Sequence, residues 1–470
     1  MQKPLSIANV AQIRQSYAGE GHCAAVQLLI DSQATINARD RWNCSPLHYA
    51  ARNNHAATVK RLLDAKASFD VANVPYDNSL ISAAACGDIA AIQTLIESGA
   101  NVNIHDDFAL SRPLHVAAGC DHPAAVSMLL DAKAAVGVID KSYRTPAHHA
   151  SAHGHTAALE ALIRANAAVD VVDIPRQTPL HLAAAGDHSA AAQVLLKAKA
   201  SLDMTDDNRK TPLHHAVERG VEIVRVLVKA KAPLEAKDET EKTPLHHAVL
   251  AGNAAAVQVL VDAKAQLKVT DNEDATPFYY AAAYGHNAAM QALIKAKARV
   301  STDGGLLRVV AGKGYDTTVQ VLVKAKAAVD SQKRDSGNMT PLYCAAASGH
   351  CAAMQVLLDL NASLDKTDTR FRTPLHAAAE RGHSAAAQFL IDAKAALGPQ
   401  DNRKKTPLHI AAQNGHAAVA QVLIDANASV DAQDADANTP IDLTLASRHG
   451  DVIRVLQDAG APQRKKMRFN

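Results

Sequence analysis

The chain of 470 residues balances 49 Lys and Arg against 47 Asp and Glu, a formal net charge of +2. With no long single-sign run, this argues against a nucleic acid as the principal partner. Hydrophobic residues are 48% of the chain and aromatic ones 3%, so alanine, valine and leucine must supply most of the packing. The start, MQKPLSIANVAQ, lacks a charged region followed by an apolar stretch, and no run of about 20 apolar residues could span a bilayer, so neither a secretory signal nor a membrane span is expected.

The segment TPLHHAVERG at Thr211 returns as CSPLHYAARN, RTPAHHASAH, QTPLHLAAAG, KTPLHHAVLA, ATPFYYAAAY, MTPLYCAAAS, RTPLHAAAER and KTPLHIAAQN, mostly at intervals of 33 residues. A fixed period of this length marks stacked supersecondary units. Length therefore says little about domain number, because a stack grows without enlarging a central core.

Residues 1–40 read as an N-terminal cap and degenerate first repeat. A first helix is predicted near Ala11 to Tyr17, and GHCAAVQLLIDSQATINARD from Gly21 has the pattern of a second helix and its connection. Residues 41–299 hold regular repeats, with one residue inserted near Asp107 to Arg112 that displaces the next start to Pro113. Residues 300–338 are irregular. STDGGLLRVVAGKGYDTTVQVL lacks the TPxH start, is expected to pack through Leu306, Leu307, Val309 and Val310, and is the place for any hinge between Val300 and Asn338. Residues 339–462 resume the repeats and end in a cap, where Asp442 replaces the usual histidine and Arg454 and Gln457 suit an exposed final helix. Residues 463–470 form a basic tail.

Within the unit around Lys404, Thr406 can cap the first helix and Pro407 sits where its missing N–H costs least. Asn414 and Gly415 interrupt that helix. From His416 a second run places Ala418, Val419, Val422 and Leu423 at spacings of three and four, and Asn427 supplies a left-handed terminus.

The motif TPLHxAAxxGHxxxxxxLLxxxA, with Asp/Asn-rich turns between its copies, resembles the ankyrin-repeat family over nearly the whole chain. The resemblance implies an all-α solenoid of about 14 helix-turn-helix units with hairpin or loop connections, in a curved, elongated superhelix. It also implies a concave surface of first helices and hairpins used for protein recognition. Glycine is usual after the second helix. Gly99 and Gly460 fit, but Lys66, Lys133, Lys199, Lys231, Lys264, Lys297, Lys326 and Lys394 stand at the matching position. If they adopt positive φ, each costs roughly 1–2 kcal/mol relative to glycine. Their ammonium groups form either a solvated edge or a surface for an acidic partner.

The sequence offers little chemistry. His48, His115, His148, His181, His214, His246, His376 and His409 recur at one repeat position, so neighbours are a packed unit apart and cannot share a tetrahedral metal. A turn-stabilising hydrogen bond accounts for them. The adjacent His149, His215 and His247 face another direction and suit a protein-binding surface or a pH-sensitive contact. The six cysteines show neither disulfide pairing intervals nor ligand spacing and read as scattered buried thiols of a reducing compartment. Cys344 and Cys351 read as packing residues, and no GxGxxG, GxxxxGK, HExxH or GxSxG occurs. No catalytic residue, metal site or cofactor is assigned.

Binding residues are expected in two sets. The hairpin tips carry Trp42, Tyr76, Phe108, Tyr143, Arg176, Arg209 and Phe371, types favoured as interface anchors. The first helices add Tyr49, Arg52, Asn53, His149, His153, His215, Glu218, His247, Tyr280, Tyr284 and Glu380. The expected protein is a cytoplasmic scaffold, adaptor or competitive blocker, monomeric without its partner, that binds folded proteins or an extended peptide. The resemblance extends to bacterial effectors acting in a host-cell cytoplasm. Two alternatives are a modifying enzyme using Asp303, Lys313, Tyr315 and Asp316, and a passive spacer. The resemblance further marks Asn37 and Asn103 for hydroxylation.

Overall fold

A computed structural model describes residues 18–40, 44–68, 79–106, 108–299, 304–332 and 337–461. Helices alternate between a first helix of five to eight residues and a second of nine. Among the described residues thirteen complete pairs run from Pro46–Arg52 with Ala56–Asp64 to Pro440–Ser447 with Gly450–Asp458, preceded by Cys23–Asp31, a second helix. The first helix expected near residues 11–17 lies outside the described residues, as do Trp42, Tyr76, Asp107, residues 300–303 and the tail 463–470. The described residues contain no strand.

The chain divides into two compact units, Met1–Gln266 and Leu267–Asn470. In the first unit, first helices pack on first helices and second on second, as Pro113–Gly119 does on Pro146–His153 and Thr156–Arg164 on Ser189–Lys197. The second unit repeats the scheme, with Pro341–Ala347 on Pro374–Arg381 and Ser384–Asp392 on Ala417–Asp425.

Local chemistry explains both helices of a pair. Thr178 is extended at φ −85° and ψ 166°, its side chain accepts the His181 N–H, and Pro179 fills the first helical position. The second helix buries one face: Ala158, Leu159, Ala161 and Leu162 lie inward in Thr156–Arg164, at spacings of three and four along it. At its end the chain turns through a left-handed residue. All eight lysines predicted there have φ between 64° and 73°, and Asn166, Asn361 and Asn427 adopt the same conformation. Each turn is fixed by its own backbone, as where Lys199 N–H meets the Leu196 carbonyl at 3.0 Å and Ala200 N–H the Leu195 carbonyl at 3.0 Å.

The irregular unit keeps both helices, Gly305–Gly312 and Asp316–Lys324. Gly304, at φ 66°, replaces the Thr-Pro start, and a Cβ there would collide with the Ser331 side chain. Leu306, Leu307 and Val310 are buried as expected. Val309 is not: it is 38% exposed, because it holds the register position of Tyr280, which looks toward the hairpins instead of between the helices. Arg308 occupies the position of the repeated histidine and is buried.

Leu213 is fully buried. Leu213→Ala should destabilise its own and neighbouring repeats by about 2–5 kcal/mol, read as faster amide exchange in Pro179–Ala185 and Pro244–Leu250; unchanged exchange there would sink this account of the core.

Candidate functional site

The hairpins stand on a repeated imidazole joint. Thr178 N–H donates to His181 Nδ1 at 3.1 Å, and the Thr178 hydroxyl reaches the same nitrogen at 2.8 Å. Since Nδ1 accepts, Nε2 carries the proton, and it donates to the Lys210 carbonyl of the next hairpin at 3.1 Å. His115, His148 and His214 repeat the link to Arg144, Gln177 and Lys242, and His376 and His409 do so to Lys405 and Asn438 in the second unit. In many repeats a second histidine points backwards: His155, His188 and His416 meet the carbonyls of Gly119, Ala152 and Glu380 at 3.1 Å. Gly154 shows the close fit, since its φ is 76° and a Cβ would lie 2.6 Å from the His188 ring.

An aspartate closes most described hairpins, buried at Asp140, Asp206, Asp238 and Asp271 and half-buried at Asp40. Asp140 Oδ1 accepts the N–H groups of Ser142 and Arg144 at 2.8 and 2.9 Å, an Asx-type turn that lifts Tyr143 to the tip. Oδ2 takes a side chain from the following first helix. His149 donates to Asp140 at 2.8 Å, His215 to Asp206 at 2.9 Å and His247 to Asp238 at 2.8 Å. Tyr49 and Tyr280 use their hydroxyls likewise, donating to Asp40 and Asp271 at 2.6 Å. Five residues expected to face a partner thus turn their polar ends inward, and Tyr280 and His247 are buried. The reason is register: the position after the helix-start histidine lies directly under the hairpin. The aspartate, always five residues before the Thr or Ser, was the recurring signal for this arrangement.

His247 goes further, because its Nδ1 lies 3.0 Å from Glu218, which also receives Lys210 Nζ at 3.2 Å. The His247 hydrogen bond is the main cause that brings Glu218 down to about 2. Burial alone would raise Asp238, but the His247 ring and the hairpin donors override it and bring it to about 2.

The tips face solvent. Phe108, Tyr143 and Phe371 are 65%, 58% and 61% exposed, and Arg176 and Arg209 are exposed beside them in sequence order. Tyr143, Arg176, Arg209 and Phe371 all have φ between 56° and 62°. Successive tips are tied by single backbone bonds, such as Ile174 N–H to the Ser142 carbonyl and Asp207 N–H to that of Pro175. On the first helices Arg52 and Asn53 are exposed, with Asn53 Nδ2 donating to the Gly19 carbonyl at 2.6 Å. Tyr284 is 51% exposed and stacks on Tyr280 and His286. Asn37 and Asn103 accept the backbone N–H of Ser68 and Ala135 in the following repeats at 2.7 and 2.8 Å.

The family model described as Ankyrin repeats (3 copies) matches residues 16–106, 80–173, 158–238, 232–303, 306–401 and 375–466. The chain belongs to the ankyrin-repeat family. No match was found among the curated proteins.

On this ankyrin scaffold, the irregular repeat brings no reactive pair together. Lys313 Nζ donates to the Ala283 carbonyl at 2.8 Å and lies 4.9 Å from the Tyr284 ring centre, while Tyr315 precedes the helix that begins at Asp316. Asp303 is outside the described residues. Burial pushes the Cys344 thiol up to about 11, against a smaller pull from Arg308, so it stays protonated. Among the described residues no group of three or more His, Cys, Asp or Glu could hold a metal, and no helix is long and apolar enough to cross a membrane. All six cysteines are free thiols, but Cys86 and Cys120 are exposed instead of buried. Both fall at first-helix ends, where the ankyrin pattern points side chains outward.

The joint histidines of the ankyrin repeats set an acid limit. Burial first, and the facing imidazole next at His115, His181 and His214, hold these three at about 4; burial does the same at His148. A histidine lowered in the folded state binds its proton more readily when unfolded, so its stabilisation is complete above pH 6.5 and is lost as pH falls toward 4. Each site accounts for on the order of 3 kcal/mol across that window. The urea midpoint should therefore drop between pH 7 and pH 5; an unchanged midpoint would rule out the neutral-imidazole joint.

Proposed function

We propose that this ankyrin-repeat chain is an interaction scaffold, adaptor or competitive blocker whose hairpin tips and first-helix ends read a folded protein or an extended peptide, with no cofactor. The observation that carries this reading is where the large tip side chains stand. Tyr143 and Phe371 are mostly solvated and held in left-handed backbone, a conformation that costs an L-residue about 1–2 kcal/mol. Strain without packing gain at an exposed aromatic is the pattern of a surface kept for recognition. Phe108, with Lys141 Nζ 5.5 Å from its ring centre, is a further exposed aromatic tip in the first unit. Trp42 and Tyr76 are included on sequence position, and Arg52, Asn53 and Tyr284 on exposure, each within its own unit. The reading includes a monomer that meets its partner in a reducing cytoplasm, its own or that of a host cell.

Replacing Tyr143 and Phe371 by glycine should stabilise the protein by about 1 kcal/mol at each site. It should also reduce retention of a specific protein in quantitative affinity purification. The same partners at the same recovery from both forms would remove the tips from the interface.

Asn37 and Asn103 are proposed as substrates of an asparagine hydroxylase. Exposure to such an enzyme should add one oxygen mass to the peptides that contain them, and unmodified peptides would count against it.

A further inference from the structure

Two neighbouring hairpins of the second unit, 368–372 and 401–405, line a groove of about 350 Å³. Its walls carry four cations, Arg370, Arg372, Arg403 and Lys405, and two acids, Glu380 and Asp401. Both acids are already engaged. Glu380 binds Arg372 Nη1 at 2.8 Å, and Asp401 Oδ1 accepts the N–H groups of Arg403 and Lys405 at 2.8 Å. Arg372 is likewise spent, its guanidinium also holding Asp368 at 2.7 Å, and Lys405 Nζ rests on Gln413 at 2.6 Å. The two remaining guanidiniums are exposed, and among the described residues the side chains of Arg370 and Arg403 form no hydrogen bond or ion pair. Phe371, 61% exposed, stands beside Arg370 on the same hairpin.

We propose that this groove binds an extended peptide with acidic side chains three residues apart and an apolar side chain between them. The assignment rests on the interaction-scaffold reading and gives that surface a partner chemistry. Guanidinium groups match carboxylates in a two-pronged geometry. Arg370 and Arg403 sit at equivalent places on consecutive repeats, a spacing of about one helix diameter, or 10 Å. In an extended peptide at about 3.1 Å per residue, side chains three apart span about 9 Å. The basic stretch is short, since the next hairpin carries Asp434 and Asp436 and the whole chain has a net charge of +2. Two repeats suffice for a peptide's paired carboxylates but are a poor track for a phosphate backbone, which gains affinity by neutralising many charges in a row.

Fluorescence anisotropy of the full-length chain with fluorescein-labelled Gly-Glu-Pro-Leu-Glu-Pro-Leu-Glu-Gly tests this. Proline keeps the probe extended. Saturable binding is expected, weakened on the order of tenfold by R370E/R403E and left in place by K66E in the first unit. The glutamine version of the peptide should bind far more weakly. Circular dichroism checks folding, and R370Q/R403Q replaces the reversed pair if that pair unfolds. Absent binding, equal binding by the variant, equal binding of the glutamine peptide, or tighter binding of a ten-nucleotide oligothymidylate would each overturn the proposal. If it fails while the Tyr143 and Phe371 variant still loses a partner, the scaffold reading stands and only the acidic-peptide assignment falls.

Discussion

At the start of six first helices, those of His115, His148, His181, His214, His376 and His409, one imidazole carries two hydrogen bonds of opposite sense, and the order of the neighbouring repeats depends on it. Nδ1 accepts from the Thr that begins its own helix, as at Thr211 and His214 (3.0 Å), and Nε2 donates to a carbonyl in the next hairpin, here Lys242 at 3.1 Å. Only the neutral ring can do both, since the protonated ring has no acceptor. Burial supplies that neutrality by opposing the charge. A short helix of seven residues, which would be marginal alone, gains a fixed start and a fixed neighbour from one side chain.

The joint also explains how the chain tolerates so many left-handed residues that are not glycine. Lysines end the second helices, and Tyr143, Arg176, Arg209 and Phe371 top the hairpins. Each is held from both sides: the lysine turn by its own backbone bonds, the tip by the aspartate below and by the next tip's N–H. Local strain persists where surrounding structure over-determines it. The strained positions are also the exposed ones, so the cost falls on the surface that varies between repeats while Leu, Val and Ala in the interior stay constant.

The fold was legible because its causes are local and recur. Thr406, Pro407, Asn414, Gly415 and Asn427 each act within a few residues of their own position, so their roles as cap, first helical residue and turn formers follow from residue type. The lysine turns were legible by matching one repeat to another. The side of the first helix that meets the hairpin was harder. Sequence position puts His149, His215, His247, Tyr49 and Tyr280 on the face expected to meet a partner, yet each finds an aspartate nine residues earlier. Sequence spacing shows that such a residue leaves the core stripe, but not that a folded-back hairpin waits there. Val309 and the thiols Cys86 and Cys120 misled for the same reason: apolar or weakly polar residues suggest burial, whereas exposure is set by register within the repeat.

Exceptions to the repeated histidine occur in both units, Ile81 in the first and several more in the second. In the first, the repeated histidine is present in every described pair from Pro113–Gly119 to Pro244–Leu250. In the second, three successive first helices carry Tyr279, Arg308 and Tyr343 at that position before His376 and His409 restore it. Tyr343 is held differently: burial pushes its hydroxyl up, Arg372 opposes this from 5.9 Å off its ring centre, and the nearby charges of Asp368 and Glu380 add to the rise. Asp368 in turn binds Arg372 and closes the hairpin that carries Arg370 and Phe371. The lost histidine is thus replaced by a tyrosine, carboxylate and guanidinium set whose last member lies at the mouth of the basic groove. A departure from the repeat rule in the interior and an unusual charge at the surface are two ends of one connected group.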